Sequence, residues 1–366
     1  MQLLALIFFA VVGIQILYFI TFIVALSKKQ QTKETAPLPV SVIVCAHDEE
    51  SNLKELIPAL LAQDYATFEV IIVDDRSNDG TFDMLLADTA KDHRLRMVHV
   101  NRTPPHTDSK KYALTLGIKA ARYEWLLLTD ADCRPLSTKW ISTMSAQFSD
   151  NTNFVLGYSP YNKAPGFLNS FIRFETLLTA IQYISFALMG YPYMGVGRNL
   201  AHRRSRFLEA KGFNNIISVA GGDDDLYVNQ HATGSNTAVC VSREAQMQSI
   251  PKTTWKSFFG QKIRHLSVGK RYRWSNRITL GMFTITWMIT WFLGIPLAIF
   301  SENYYVFIGL LVIRIILITV TVQGAAKKLG EKFDVLMILP LDFIYAFYYL
   351  VTGLRALVTK KVRWKN

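Results

Sequence analysis

Apolar positions along the chain follow two different patterns. From Leu3 to Leu26 they form one almost unbroken run. At ~1.5 Å of rise per residue, a helix of that length crosses a ~30 Å hydrocarbon core. A cleaved signal peptide would instead show a basic start, a shorter apolar stretch and a small-residue cleavage site. Met1-Gln2 carries no basic side chain, and Val24-Ala25-Leu26-Ser27 is a poor site. Residues 1–27 are therefore read as a signal anchor whose N-terminus lies outside and whose remainder lies inside. A polar linker, Gln30 to Pro39, follows.

From Val40 the apolar runs shorten and alternate with helical patterns. Strands are predicted at Val40 to Cys45, Phe68 to Val73, Met97 to Val100 and Trp125 to Thr129. Helices are predicted near Asn52 to Ala62, after Thr81, and at Lys110 to Ala121. Such alternation predicts an α/β domain with a parallel sheet, and ligands of such sheets bind at the carboxyl ends of the strands. The polar clusters at 46–50, 74–81 and 130–132 each directly follow a strand, so one shared site is expected there.

Beyond residue 250 the long runs return. Lys252 to Arg277 interleaves basic residues with Trp255, Phe258, Phe259, Tyr272 and Trp274, the composition of an interfacial segment. Spans are expected near Ile278 to Phe300 and Tyr304 to Val322. A last apolar stretch, Phe333 to Leu357, contains Pro340 and Asp342. A full crossing there would place the tail Lys360-Lys361-Val362-Arg363 outside, against the charge bias, so a re-entrant or interfacial helix is expected. Arg314 sits mid-span, and an ionised group at that depth needs a partner: Asp342, the interface, or a lipid phosphate. The resulting division is 1–27 anchor, 38–250 soluble domain, 251–277 interfacial segment, 278–358 membrane helices and 359–366 basic tail.

Half of the 366 residues are apolar and the formal charge is +12. The positive charge lies beside the long apolar runs, as it does on cytoplasmic membrane flanks. No nucleic-acid-binding motif accompanies it, so no nucleic-acid partner is expected. Cys45, Cys133 and Cys240 have no metal-type spacing and fit a reducing compartment.

The chemistry concentrates in carboxylates. Asp130-Ala131-Asp132 closes the strand Trp125 to Thr129, and two carboxylates so spaced can face one divalent cation. Mg²⁺ and Mn²⁺ favour such hard oxygen donors and keep water and phosphate as further ligands, neutralising a departing diphosphate. Asp74-Asp75 ends another strand and can accept hydrogen bonds from a base or ribose. Asp79-Gly80 supplies a tight turn, with Thr81 as a candidate helix cap. Gly221-Gly222-Asp223-Asp224-Asp225-Leu226 sets three carboxylates side by side, where mutual repulsion can raise one pKa and create a general base. The same pattern also suits an acidic helix N-terminus.

In that order, the segment Val42 to Glu50, Asp74-Asp75 through Gly80-Thr81, and Asp130-Ala131-Asp132 resemble the inverting family 2 glycosyltransferases of GT-A fold. Lys110 to Gly117 is similar to the family's Lys-x-x-Ala-Leu-Asn-x-Gly, with Thr115 for Asn; Asp48 likewise replaces an Asn. The resemblance covers roughly 38 to 270. It implies that the segment around Ala46 and Glu49, together with Asp75, binds the nucleoside of a nucleotide-sugar. It places Asp130 near the ribose or donor sugar and Asp132 on the metal. Lys110 either approaches the donor or caps its own helix region. Asp223 takes the base position with Asp224 as its competitor, since Gly222 stands where the family has Glu. Gln261 and Arg264 match Gln-x-x-Arg-Trp, which borders acceptor and diphosphate, with His265 in place of Trp. Asn199 matches Gly-x-Asn-x-Ala on the acceptor side.

The expected protein is a membrane-anchored, metal-dependent GT-A glycosyltransferase with a mixed α/β sheet. It would move a sugar to a lipid or glycan acceptor at the cytosolic face of the cell's inner membrane. A processive polysaccharide synthase would keep the Trp and carry more spans. A non-catalytic membrane scaffold with a degenerate nucleotide domain would lose the carboxylates.

Overall fold

The computed structural model describes residues 2–28 and 37–358; most of the expected linker and the basic tail lie outside them. The elements in chain order are α1 (Gln2–Ser27), β1 (Val40–Ala46), α2 (Glu50–Leu61), β2 (Phe68–Asp75), α3 (Thr81–Thr89), β3 (Leu95–Val100), α4 (Ser109–Ala120), β4 (Trp125–Asp130), β5 (Cys133–Pro135), α5 (Trp140–Ser145), β6 (Phe154–Gly157), α6 (Phe167–Leu188), β7 (Leu200–Arg203), α7 (Arg204–Glu209), α8 (Asp225–His231), β8 (Thr237–Cys240), β9 (Met247–Ser249), α9 (Trp255–Val268), α10 (Trp274–Phe300), α11 (Tyr304–Lys328) and α12 (Val335–Val358). They form two compact units. One comprises residues 37–164 and 187–252; the other comprises 2–28, 165–186 and 253–358.

The α/β unit is a seven-stranded sheet in the order β3-β2-β1-β4-β7-β6-β8. β3, β2, β1 and β4 are mutually parallel. β7 runs antiparallel between β4 and β6, and β8 pairs parallel with β6. The sheet is therefore mixed, and β7 begins at the edge where β4 ends, with Leu200 opposite Leu128. β1 and β2 are apolar on both faces because helices cover both; Val42, Ile43, Val44, Val70, Ile71 and Ile72 are all fully buried. α4 lies close on this sheet at Gly117, where a Cβ would stand 2.7 Å from Val73 Cγ2 and 2.9 Å from Ile43 Cγ2. A second, two-stranded sheet pairs β5 with β9.

The helical unit collects five helices long and apolar enough to cross a membrane: α1, α6, α10, α11 and residues 335–356 of α12. Gln15 of α1 donates to Phe283 O (3.0 Å) and Thr286 Oγ1 (2.8 Å) of α10. Lys328 of α11 donates to Leu26 O and to Lys28 O (2.7 Å), satisfying carbonyls at the end of α1. Arg314 of α11 pairs with Asp342 of α12, the partner expected among the alternatives.

Two sequence readings meet a different arrangement here. The soluble domain does not run unbroken from 38 to 250, because α6 packs in the helical unit. Its charges are paired there, Arg173 to Glu331 (2.5 Å) and Glu175 to Lys262. The stretch after Phe333 forms one unbroken helix through Pro340, so no re-entrant turn interrupts it. In the basic segment Lys262 is buried against Glu175.

Candidate active site

The carboxyl edge of the parallel strands gathers the polar clusters of the α/β unit. Cys45, near the end of β1, lies opposite Asp130 of β4. A small cleft here is lined by Cys45, Lys110, Asp130, Gly197, Asp223 and Asp224 among others. Lys110 is the tie between them. Its ammonium lies 2.9 Å from Asp130 Oδ1 and 3.1 Å from Asp223 Oδ2, so the first carboxylate of the Asp-x-Asp pair and the candidate base share one cation. Burial works against the Lys110 charge, but Asp130, Asp223 and Asp224 outweigh it and hold its pKa well above the ordinary lysine value.

The acidic run divides into two roles. Asp224 accepts from Gly197 N with Oδ2 (2.6 Å) and from Asp225 N with Oδ1 (2.7 Å), acting as N-cap of α8. Burial, reinforced by the charge of Asp223, pushes its pKa up to about 6. Asp223 is also buried, but Lys110 and Lys111 more than offset that burial and hold its carboxyl below the usual range. Lys111, itself lowered by burial, donates to Val219 O (2.5 Å) and to Gly221 O and so fixes the loop before Asp223. Gly222 has φ +84°, a conformation open to glycine and costly for side chains. A Glu at this position would be strained.

Asp132 is half-buried, and its carboxyl is raised by burial and by Asp130, with Arg198 and Lys252 pulling the other way. Among the described residues it makes no ion pair; its recorded side-chain bond is a long one from Cys133 Sγ (3.6 Å). Among those residues no third His, Cys, Asp or Glu completes a protein-only metal cage. A hard cation held by Asp132 and the free oxygen of Asp130 would thus draw its remaining ligands from phosphate and water, as such ions commonly do.

The segment expected to meet the nucleoside is built from two interlocked turns. Asp48 (φ +55°) and Arg76 (φ +57°) both take left-handed backbone. Asp48 Oδ1 accepts from Asn78 N (2.7 Å), and Asp48 N donates to Ser77 Oγ (3.0 Å). Asp79 accepts from Thr81 N (3.0 Å) and Glu50 N (3.2 Å). The N-cap of α3 is Gly80, with no side-chain cap bond; Thr81 is the first helical residue, and its hydroxyl accepts from Glu49 N (3.1 Å). Asp75 is buried, with Arg76 Nε 2.8 Å from its carboxylate. Its neighbour Asp74 is a structural group, 2.7 Å from His99 Nδ1. Ala46 is buried opposite Asp74 in the sheet, and Glu49 binds Asn52 Nδ2 (2.6 Å).

One expected position looks different in three dimensions. Asn199 is fully buried: its amide donates to Tyr158 O (2.8 Å) and Ala245 O (2.7 Å) and its oxygen accepts from Trp140 Nε1 (3.0 Å). Both amide N–H groups are committed and the oxygen, which already accepts one bond, is buried, so Asn199 is a structural hub. Gln261 and Arg264 lie on α9, in the helical unit. The sequence reading passed over Arg198, whose only prior signal was its place between Gly197 and Asn199.

Residues 41–209 match the family described as Glycosyl transferase family 2. This segment is a family 2 glycosyltransferase domain. The chain is 32% identical over 95 residues to the poly-beta-1,6-N-acetyl-D-glucosamine synthase of Staphylococcus epidermidis, covering 25% of this chain and 21% of that protein. It is 27% identical over 129 residues to glycosyltransferase GlyG of Streptococcus pneumoniae, covering 35% of this chain and 41% of that protein. The chain thus spans well under half the length of these curated relatives. Among solved structures, the mannosyltransferase PcManGT from Pyrobaculum calidifontis, in complex with GDP-Man and Mn2+, superposes with a TM-score of 0.61 at 16% identity, covering 98% of this chain and 99% of that one. At that identity the likeness establishes the GT-A fold of the glycosyltransferase domain, and the five candidate spans accompany it.

Proposed function

We propose that the glycosyltransferase domain moves a sugar, with inversion, from a nucleoside-diphosphate donor to a lipid or glycan acceptor held at the membrane, on its cytosolic face. The observation that carries this reading is the Lys110 bridge, which joins the Asp130 end of the Asp-x-Asp pair to Asp223 at one sheet edge. Inversion needs a base on the acceptor hydroxyl, opposite the leaving group. Asp223 is assigned that task because both oxygens of Asp224 are occupied by backbone N–H groups. Kept ionised by Lys110 and Lys111, the Asp223 carboxylate would accept the hydroxyl proton as the new glycosidic bond forms.

Asp132 and Asp130 would hold the divalent cation, Mg²⁺ or Mn²⁺, which supplies Lewis-acid stabilisation of the departing diphosphate. Asp75 and the 46–50 turn orient the nucleoside. Lys110, between the two carboxylate sites, also limits the negative charge that accumulates where the anionic donor must sit. Gln261 and Arg264 remain assigned to the acceptor and diphosphate border.

Detergent-purified full chain, incubated with labelled UDP-, GDP- and dTDP-sugars with and without Mn²⁺, tests the reading. Metal-dependent turnover of one donor is expected, falling at least 100-fold in Asp132→Ala. No turnover of any donor by the unaltered chain, or undiminished turnover in the variant, would refute it.

A further inference from the structure

Arg198 carries a positive charge that the fold does not spend. Its guanidinium lies over the Tyr161 ring, 4.4 Å from the centroid, and its Nη1 is buried without a hydrogen-bond partner. The carboxylates of Asp132 and Asp130 act on it electrostatically, yet among the described residues it forms no ion pair with either carboxylate. Leaving a buried guanidinium N–H unpaired is costly.

The turn that carries Arg198 is pinned on both sides. Gly197 N is held by Asp224 (2.6 Å), and the Asn199 carboxamide is locked by three bonds. A side chain so mounted presents its donors in a fixed place without further ordering, which is what preorganised binding requires. The place is beside the Asp-x-Asp carboxylates, at the start of β7.

We infer that Arg198 is a second diphosphate-binding group of the donor site, its planar fork taking phosphate oxygens that the metal and Lys110 leave free. Planar, permanently charged guanidinium suits phosphate in a way that a lysine ammonium does not. The inference rests on the transfer reading above. The competing role is a counter-ion that merely offsets Asp132.

Equilibrium binding of UDP, GDP and dTDP to the detergent-solubilised full chain, at saturating Mn²⁺, separates the two. For whichever diphosphate binds, Arg198→Met is expected to weaken affinity roughly 10- to 100-fold. Arg198→Lys should recover only part of that loss, and Mn²⁺ alone should bind no more weakly than to the unaltered chain. A counter-ion would give tighter Mn²⁺ binding with undiminished diphosphate affinity, and that result overturns the assignment. If Arg198→Met does not fold, Arg198→Lys decides: affinity equal to that of the unaltered chain sinks the fork. An unaltered chain that binds none of the three diphosphates sinks the transfer reading, and this assignment with it.

Discussion

Asp223 and Asp224 are adjacent in sequence, yet their neighbours commit them to different work. Asn at 223 keeps shape and removes the proton acceptor, so Asp223→Asn should lower turnover ~10²- to 10⁴-fold while donor affinity stays within a few-fold. Asn at 224 sets an NH₂ group against one of two backbone N–H donors. Asp224→Asn should therefore destabilise the α/β unit by ~1–2 kcal/mol and leave measurable turnover; a variant pair with these two outcomes exchanged would reverse the assignment of the base. His202 illustrates a buried group with no part in catalysis. Its ring packs against Phe207 and Tyr227, and burial lowers its pKa to about 4 from the ordinary 6.5. The unfolded chain binds the extra proton more readily, so stability is full above pH ~6.5 and falls as pH drops toward 4, by ~3 kcal/mol in all. Thermal unfolding of His202→Phe should show a smaller acid loss between those pH values than the unaltered chain.

At the scale of elements, the long apolar helices of the helical unit meet on one buried ion pair. Arg314 of α11 pairs with Asp342 of α12, its guanidinium lies 4.6 Å from the Trp287 ring of α10, and Phe19 of α1 is 5.6 Å away. Removing one partner strands the other charge, so Arg314→Leu should cost ~3–5 kcal/mol, whereas Arg314→Leu with Asp342→Leu should recover most of it. Retained activity against detergent or heat in the two variants measures this. The strands β1, β2 and β4 were legible in the sequence because a parallel strand covered on both faces reads as a continuous apolar run, and the site's carboxylates followed directly after those strands. What the sequence hid was pairing over distance. Asn199 meets Tyr158, Ala245 and Trp140 only once β6 and β7 are aligned. α6 carries Arg173 and Glu175, which mask its apolar character until Glu331 and Lys262 neutralise them.

Chain topology limits how the whole molecule can enter a membrane. Segments 37–164 and 187–252 contribute β4, β6, β7 and β8 to one hydrogen-bonded sheet, so both must lie on the same side of a bilayer. α6 connects them, and its two ends therefore share that side. Although its length and composition would permit crossing, a single traverse would tear β7 from β4. α6 must belong to the membrane unit as a packed, non-crossing helix, which agrees with its paired charges and with its being largely buried among neighbours. The remaining candidates are α1, α10, α11 and α12. Basic residues flank the start of α10 (Lys270, Arg271, Arg273) and the end of α11 (Lys327, Lys328, Lys332), while Ser301-Glu302-Asn303 between them has none. If these helices cross a bilayer, the positive-inside bias predicts the 301–303 connector outside and the 329–334 connector inside. Single cysteines at Asn303 and at Lys332, probed with a membrane-impermeant maleimide, test this. In intact cells Asn303→Cys should be labelled and Lys332→Cys protected; permeabilised cells should label both. Protection of Asn303→Cys with labelling of Lys332→Cys would invert the predicted orientation of α10 and α11.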